Sequence, residues 1–301
     1  MIEVSDRLKG RDFTSVRPFS RAELEEILDL ADRLKVARGV YEPTDLLPRR
    51  TIALIFQKPS TRTRVSFEAG VAELGGTAIH LATGDMQLGR GESIRDTAYV
   101  LSRYLDGIMI RTFAQADVDE LAEHASIPVV NGLTDEEHPC QALADVMTIR
   151  ERFGRVEGVR VAYVGDGNNV CVSLMQACVA LGAEFVAATP PGREPVVEGS
   201  ATVVSDPYEA AEGAHVLYTD VWTSMGQEAE QEERRRAFRD YAITPGLVAR
   251  AAEDAIVLHC LPAHPGEEIA EDVLYGPQSA VWDQAENRLH AEKALLALIV
   301  P

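Results

Sequence analysis

The chain has 301 residues, of which 46% are hydrophobic, so it is long enough for one large domain or two ordinary ones. Lysine and arginine number 29 against 48 for aspartate and glutamate, which gives a formal net charge of -19. So acidic a chain argues against nucleic acid and anionic membranes as partners. It also makes any local cluster of arginines informative.

The cysteines and the apolar runs indicate the compartment. Four scattered cysteines form no Cys-x-x-Cys pair, which predicts reduced thiols rather than a disulfide scaffold. The segment from Met1 to Phe13 lacks the apolar run of a signal peptide, and no stretch approaches the roughly 18 apolar residues of a membrane span. We therefore expect an intracellular, cytoplasmic protein that does not associate with membranes.

Strands and helices alternate along the chain. A capping box of Ser20 and Glu23 opens the first helix. Apolar runs then predict strands over residues 51–56, 77–81, 106–111, 127–131, 160–164, 184–188, 215–219 and 255–260. Helical spacing predicts helices over residues 60–74, 93–104, 114–124, 138–153, 171–181, 206–211, 267–274 and 283–300, with a further helix opening at Thr244.

This alternation is typical of an α/β fold with a mainly parallel sheet, and the pattern restarts after residues 151–158. We therefore expect two domains, residues 1–148 and 149–301, each a mainly parallel sheet flanked by helices. The long helix before the restart is expected to bridge them. Because ligands of open α/β sheets bind beyond the carboxyl ends of the strands, functional residues are expected there.

Hydroxyls and guanidinium groups cluster where the first strand turns into a helix, in Ser60-Thr61-Arg62-Thr63-Arg64. The first turn of a helix presents unpaired N–H groups and the positive end of the dipole, and arginine suits phosphate oxygens. A capped surface helix with solvated arginines is the alternative. It explains Ser60 as an N-cap but not the cluster, so we predict a phosphate site.

Two further groups in the first half lie at expected strand or helix ends. Arg111 closes a predicted strand, where it either meets a ligand or forms a surface ion pair. His138 and Gln141 share one face at the start of the long helix. They could polarise a carbonyl oxygen, or serve as a helix cap and a solvated amide.

In the second half, a glycine-containing turn from Gly165 to Val170 links a strand to a helix. A dinucleotide site would have a third glycine where Val170 stands, and an acidic residue at the end of the next strand, which ends in Thr189. We therefore expect no nicotinamide cofactor. Asn168 and Asn169 offer donors and acceptors for a polar zwitterion.

Asp220 and Cys260 also lie at the ends of apolar strands. The carboxylate suits an ammonium group and Ser224 suits a carboxylate, with a tight turn capped by Asp220 as the alternative. A nucleophilic cysteine needs a positioned base, and His259 is expected to point the opposite way along an extended strand. Cys260 is therefore expected to position another group or to tune the pKa of that group. Because metal-ligand spacing is absent, no metal is expected.

Taken together, these motifs resemble the aspartate/ornithine carbamoyltransferase family. The resemblance rests on Ser60 to Arg64, on His138-Pro139-Cys140-Gln141 and on His259-Cys260-Leu261-Pro262. Asp220-x-x-x-Ser224-Met225-Gly226 with Cys260 is similar to the ornithine branch, since the aspartate branch differs at both places. Nearly the whole chain is covered, from the first helix to Asp283-Gln284-Ala285-Glu286-Asn287-Arg288.

The resemblance implies a carbamoyl-phosphate domain, an ornithine domain and a last helix, about residues 284–301, that packs on the first domain. It also implies a homotrimer or a multiple of trimers, with Gln87 in a loop lent to a neighbouring subunit. The implied carbamoyl-phosphate residues are Ser60, Thr61, Arg62, Thr63, Gln87, Arg111, His138, Gln141, Cys260, Leu261 and Arg288. The implied ornithine residues are Asn168, Asn169, Asp220, Ser224 and Met225.

The implied reaction is attack of the neutral δ-amine of ornithine on carbamoyl phosphate, giving citrulline and phosphate with neither metal nor organic cofactor. Arg111, His138, Cys260 and Asp220 are the implied catalytic residues, and the role would lie in either synthesis or breakdown of arginine. Two alternatives stay open. One is a carbamoyltransferase for another amine, such as putrescine, and the other is a non-catalytic module that binds an amino acid or phosphate.

Overall fold

The computed structural model describes residues 2–88, 91–223 and 230–301, and the chain divides into two compact units. The first unit contains Met1–Ala144 and Asn287–Pro301, and the second contains Asp145–Glu286. The divisions fall inside two helices, α5 (Pro139–Phe153) and α11 (Val281–Ile299). The last part of the chain therefore belongs to the first unit.

The described strands are β1 (Thr51–Phe56), β2 (Thr77–Ala82), β3 (Gly107–Arg111), β4 (Val129–Leu133), β5 (Arg160–Val164), β6 (Glu184–Ala188), β7 (Thr202–Val204), β8 (Val216–Thr219) and β9 (Ile256–His259). The helices besides α5 and α11 are α1 (Arg21–Gly39), α2 (Thr61–Glu73), α3 (Ile94–Leu101), α4 (Gln115–His124), α6 (Asn169–Leu181), α7 (Pro207–Ala211), α8 (Gln231–Phe238), α9 (Pro245–Val248) and α10 (Glu271–Leu274). A 3₁₀ turn spans Thr83–Asp85.

The sheet of the first unit has the order β2-β1-β3-β4, with every pair parallel. Strand β1 is buried from Ile52 to Phe56, as expected for a strand covered on both faces. Strand β2, which follows β1 in the chain, lies on one side of β1, and β3 lies on its other side. This switch point puts the carboxyl ends of β1 and β3 next to each other, and Phe56 is paired with Arg111.

The second unit repeats this arrangement with the order β7-β6-β5-β8-β9, again entirely parallel. Its switch point lies between β5 and β8, so the segments after Val164 and Thr219 emerge side by side. The edge strand β7 was not predicted. It has three residues and follows a segment rich in proline and glycine, too short a run to show a periodicity.

Lysine side chains fasten α11 within the first unit. The chain has four lysines, and three of them bind this helix or belong to it. The contacts are Lys9 Nζ to the Ala297 carbonyl at 2.9 Å, Lys35 Nζ to Asn287 Oδ1 at 2.8 Å, and Lys293 Nζ to Glu73 Oε2 at 2.7 Å. Lys9 satisfies a carbonyl at the helix end, a position where cations are favoured.

Two predicted helices are shorter than the sequence indicated. Helix α3 ends at Leu101, and α10 begins at Glu271 instead of residue 267. The residues before α10 form a turn over 266–268, and this turn is bounded by a bridge between Pro265 and Ile269. Among the described residues, the helices include none with the length and apolar character needed to cross a membrane.

Candidate active site

The start of α2 is held by a serine cap. Ser60 has extended backbone angles, and its Oγ accepts a hydrogen bond from the Thr63 N–H at 3.2 Å. The same hydroxyl donates to Thr63 Oγ1 at 3.1 Å. The predicted N-cap is confirmed, and Thr63 is buried with only 1% of its surface exposed. The neighbouring Thr61 and Arg62 are exposed.

Arg288 on α11 gathers two of the predicted anion ligands. Its Nη1 donates to Gln141 Oε1 at 2.9 Å, and its Nη2 lies 3.5 Å from Thr63 Oγ1. Its Nε and Nη2 also donate to Glu292, one helical turn further along α11. All four side chains are buried, so a guanidinium, an amide and a hydroxyl meet out of water.

His138 lies in the positive field of this cluster. Burial, together with the charges of Arg288 and Arg111, holds the pKa of His138 well below its usual range. The imidazole is therefore neutral at physiological pH, and one ring nitrogen is a hydrogen-bond donor. Arg111 is 8% exposed at the end of β3. A neutral donor beside two guanidinium groups suits an anion or a polarised carbonyl oxygen.

Two further residues of the first unit differ from this cluster in exposure. Arg64 pairs with Glu68 one turn later at 2.9 Å, and both side chains are more than a third exposed. Arg64 therefore fits the alternative interpretation, in which the arginines of this helix are solvated. Gln87 is also exposed within the first unit.

In the second unit, Asn168 caps α6. Its Oδ1 accepts from the N–H groups of Val170 and Cys171 at 3.0 and 3.1 Å and from the hydroxyl of Tyr163 at 3.2 Å. Its Nδ2 donates to Asp220 Oδ2 at 2.7 Å. Asn168 therefore ties the loop after β5 to the loop after β8 across the switch point. Its neighbour Asn169 accepts from the Val170 N–H at 2.9 Å.

The Asp220 carboxylate also meets the Cys260 thiol. Cys260 Sγ donates to Asp220 Oδ1 at 2.8 Å, and the Val221 N–H donates to the same oxygen at 2.8 Å. Thr219 and His259 pair in the β8–β9 register, so the residues that follow them leave the sheet together. Cys260 is partly exposed, whereas the other three cysteines are buried.

The expected direction of His259 is wrong. Its Nδ1 accepts from the Leu261 N–H at 2.8 Å, so the proton belongs on Nε2, which contacts Glu268 Oε1 at 3.1 Å. Strand β9 ends at His259, so the alternation of side chains no longer applies at Cys260. Leu261 has a φ of 59°, a left-handed value that is unusual for a residue with a side chain.

Asp220, His259 and Cys260 form a group that could hold a metal ion, which the sequence spacing did not predict. One ligand atom from each lies within 4.8 Å of the others. The three residues come from two strand ends 40 positions apart, so no local motif marks them. Both nitrogens of His259 already have protein partners, so a metal would have to displace one of them.

No sequence pattern marks Arg234, which is 1% exposed in α8. Its Nε donates to the Trp222 carbonyl and its Nη2 to Asp166. Arg234 thus joins the loop after β8 to the loop after β5, beside the Asn168–Asp220 contact. Because its neighbours in the sequence are also charged, the pattern there is typical of a solvated helix face. The predicted ligands Ser224 and Met225 lie outside the described residues.

The fold is therefore that of a two-domain α/β protein. The cluster around Arg288 suits an oxyanion, and the cluster around Asp220 suits an amine. Two family profiles match the chain. Aspartate/ornithine carbamoyltransferase, carbamoyl-P binding domain, covers residues 11–151, and aspartate/ornithine carbamoyltransferase, Asp/Orn binding domain, covers residues 157–299.

Individual relatives agree over nearly the full length. An ornithine carbamoyltransferase from Pyrococcus horikoshii is 54% identical over 306 residues, 97% of this chain and 96% of that protein. "Ornithine carbamoyltransferase, anabolic" from Pyrococcus furiosus is 53% identical over 306 residues and 97% of each chain. A solved structure of an ornithine carbamoyltransferase from Pyrococcus furiosus has a TM-score of 0.94 and 51% identity, covering 99% of both chains.

The chain belongs to the aspartate/ornithine carbamoyltransferase family. The resemblance inferred from its motifs is confirmed, and so is the fold class of two parallel-sheet domains flanked by helices. Membership makes the protein a transferase.

Proposed function

We propose that the protein transfers the carbamoyl group of carbamoyl phosphate to the δ-amine of L-ornithine, giving L-citrulline and phosphate. The contact between Asp220 and Cys260 carries the ornithine assignment, because a carboxylate beside a thiol at a strand end suits an amine substrate. The relatives described above, which share about half of their residues with this chain, are named for ornithine.

We assign carbamoyl phosphate to the first unit and ornithine to the second. Ser60, Thr61, Arg62 and the N-terminus of α2 would bind the phosphate end, where helix N–H groups and a guanidinium suit an oxyanion. Thr63, Arg111, His138, Gln141 and Arg288 would surround the carbamoyl end. In the second unit, Asn168, Asn169 and Asp220 would bind ornithine, together with Ser224 and Met225.

The chemistry starts with attack of the neutral δ-amine on the carbamoyl carbon. The new C–N bond pushes the carbonyl electrons onto oxygen, and donors from Thr63, Arg111 and His138 would stabilise that oxyanion. The C–O bond to phosphate then breaks, and Arg62 would stabilise the departing dianion. The amine loses one proton in the process, with Asp220 and Cys260 aligning the nitrogen and accepting or relaying the proton. Cys260 and Leu261 would also contact the carbamoyl group.

The neutral state of His138 fits this role. A neutral imidazole can donate one hydrogen bond without adding a third positive charge to the cluster. Much of the rate enhancement would come from holding the two substrates in line, since alignment replaces a bimolecular encounter.

Several broader properties belong to the same proposal. We infer a homotrimer or multiple of trimers, with Gln87 contributed to a neighbouring copy. We place the enzyme in the cytoplasm, where free thiols such as Cys260 stay reduced. The anabolic name of the Pyrococcus furiosus relative favours a role in arginine biosynthesis.

The test is product formation by the purified protein. Carbamoyl phosphate with L-ornithine should give citrulline, and the same mixture with putrescine should give little carbamoylputrescine. Formation of carbamoylputrescine without citrulline would assign the rival amine. Tight ligand binding without any turnover would indicate a non-catalytic binding module.

A further inference from the structure

Glu292 accepts hydrogen bonds from the Nε edge of the Arg288 guanidinium. Arg288 donates from Nε at 2.9 Å and from Nη2 at 2.6 Å, and both bonds end on Oε1 of Glu292. The two side chains are 7% and 1% exposed. A buried ion pair is costly to desolvate and adds little net stability by itself. The position of Glu292 therefore needs a reason other than stability.

The remaining contacts of Arg288 point to that reason. Gln141 and Thr63 meet the Nη atoms, while Glu292 holds the Nε edge. A guanidinium is a rigid plane, so fixing one edge also fixes the direction of the others. Glu292 thus fixes the direction in which Arg288 points its Nη donors.

Charge repulsion makes this restraint necessary. Arg111 and Arg288 both depress the pKa of His138, so two guanidinium groups act on the same small volume. Like charges repel in a poorly hydrated site, so the direction of Arg288 there depends on the hydrogen bonds that hold it. The Glu292 oxygen that accepts from both Nε and Nη2 provides that restraint through the geometry of its two hydrogen bonds.

We propose that Glu292 is a positioning residue for carbamoyl phosphate, which it serves by orienting Arg288 without touching either substrate. The inference rests on the proposed function of the Thr63–Gln141–Arg288 cluster. Pre-orientation removes the cost of ordering Arg288 at the moment of binding, so it acts on the affinity for carbamoyl phosphate. Arg288 and Ser66, the hydrogen-bond partners of Glu292, both belong to the first unit, which is assigned to carbamoyl phosphate.

Two substitutions separate the position of the carboxylate from its charge. Glu292→Asp keeps the charge but withdraws the acceptor by one methylene, and Glu292→Gln keeps an oxygen in place but removes the charge. We expect Glu292→Asp to raise the KM for carbamoyl phosphate about ten-fold and Glu292→Gln to raise it less than about three-fold. The KM for ornithine should stay within about two-fold in both. If Glu292→Asp does not fold, Glu292→Leu replaces it, with the same expected ten-fold rise.

Lys293→Met is the matched control. Lys293 is 1% exposed, follows Glu292 on α11, and forms its own ion pair with Glu73, away from Arg288. This variant should lose stability in urea without a change in the KM for carbamoyl phosphate. An unchanged KM in Glu292→Asp, or an equal rise in Glu292→Gln, would overturn the positioning role. Citrulline formation by the unaltered enzyme tests the proposed function separately.

Discussion

Cys260 Sγ and Asp220 Oδ1 are 2.8 Å apart, although the two residues are 40 positions apart in the chain. Each follows the last residue of a strand, and the two strands are neighbours in the sheet. The carboxylate also accepts from Asn168 and from the Val221 N–H, which leaves it little freedom to turn. The thiol is thus part of a fixed polar array rather than an isolated nucleophile.

The first prediction concerns that thiol. Cys260→Ala removes a donor from Asp220, so the carboxylate should lose its fixed direction towards the amine. We expect the KM for ornithine to rise about ten-fold or more while the KM for carbamoyl phosphate changes less than about three-fold. Steady-state kinetics with each substrate varied in turn checks this.

Cys178→Ala provides the control for the thiol, because Cys178 is buried in α6 and forms no part of the proposed site. It should alter stability and leave both KM values unchanged. A larger effect of Cys260→Ala on carbamoyl phosphate than on ornithine would contradict the assignment.

The second prediction compares two arginines of α2. Arg62 is assigned to the phosphate, whereas Arg64 forms an exposed pair with Glu68. We expect Arg62→Ala to raise the KM for carbamoyl phosphate by about 100-fold or more with the fold intact, because a charge-assisted bond to phosphate is lost. Arg64→Ala should behave almost like the unaltered enzyme, since exposed pairs contribute little. Equal KM values in the two variants would refute the role of Arg62.

The third prediction concerns the pH dependence of stability. Because the folded pKa of His138 lies well below the unfolded value of about 6.5, the unfolded chain binds a proton that the folded chain does not. Stability from this residue is therefore intact above the unfolded pKa and falls as the pH drops below it. Between pH 7.5 and 5.5 the loss has an upper limit of about 1.4 kcal/mol, which is set by the unfolded pKa.

Urea unfolding of the enzyme and of His138→Asn at several pH values measures this difference. The variant should lose less stability than the unaltered protein over that range, by up to about 1.4 kcal/mol. Parallel pH profiles of the two proteins would show that His138 binds a proton as readily in the folded protein as in the unfolded chain, which would contradict the depressed pKa.

The fourth prediction concerns Arg234, which joins the loops after β5 and β8 from a fully buried position. Burial raises the pKa of Asp166, and Arg234 opposes that rise. Arg234→Met should destabilise the fold by about 3–5 kcal/mol, because it leaves the largely buried carboxylate of Asp166 without this ion-pair partner. The KM for ornithine should also rise, as Asp220 depends on the same loops.

Arg236→Met is the control for Arg234. Arg236 is 79% exposed and forms a surface pair with Glu232. Its loss should change the free energy of unfolding by less than about 0.5 kcal/mol. Similar unfolding curves for the two variants would contradict a buried anchoring role for Arg234.

The sequence predicts what is local. Ser60 is recognisable as a cap because an N-cap and the first helical turn are adjacent in the chain, and the buried strands are recognisable by their continuous apolar runs. Motif order was enough to identify the family. These features depend on neighbours a few residues away.

Features that depend on the fold could not be read in this way. Thr63 and Arg288 meet across 225 positions, and Glu292 is an ordinary helical glutamate until α11 is seen beside them. The predicted direction of the His259 side chain was wrong because the alternation of side chains along a strand stops where the strand ends. Arg234 looks solvated in a charged run, yet the fold buries it.

One measurement tests the central claim most directly. The purified enzyme is given carbamoyl phosphate with equal concentrations of L-ornithine, putrescine and L-aspartate, and the three carbamoylated products and phosphate are quantified together. The account predicts citrulline as the main product, formed in equal amounts with phosphate and lost in Arg62→Ala. Phosphate release without citrulline, or a dominant product from either of the other amines, would contradict it.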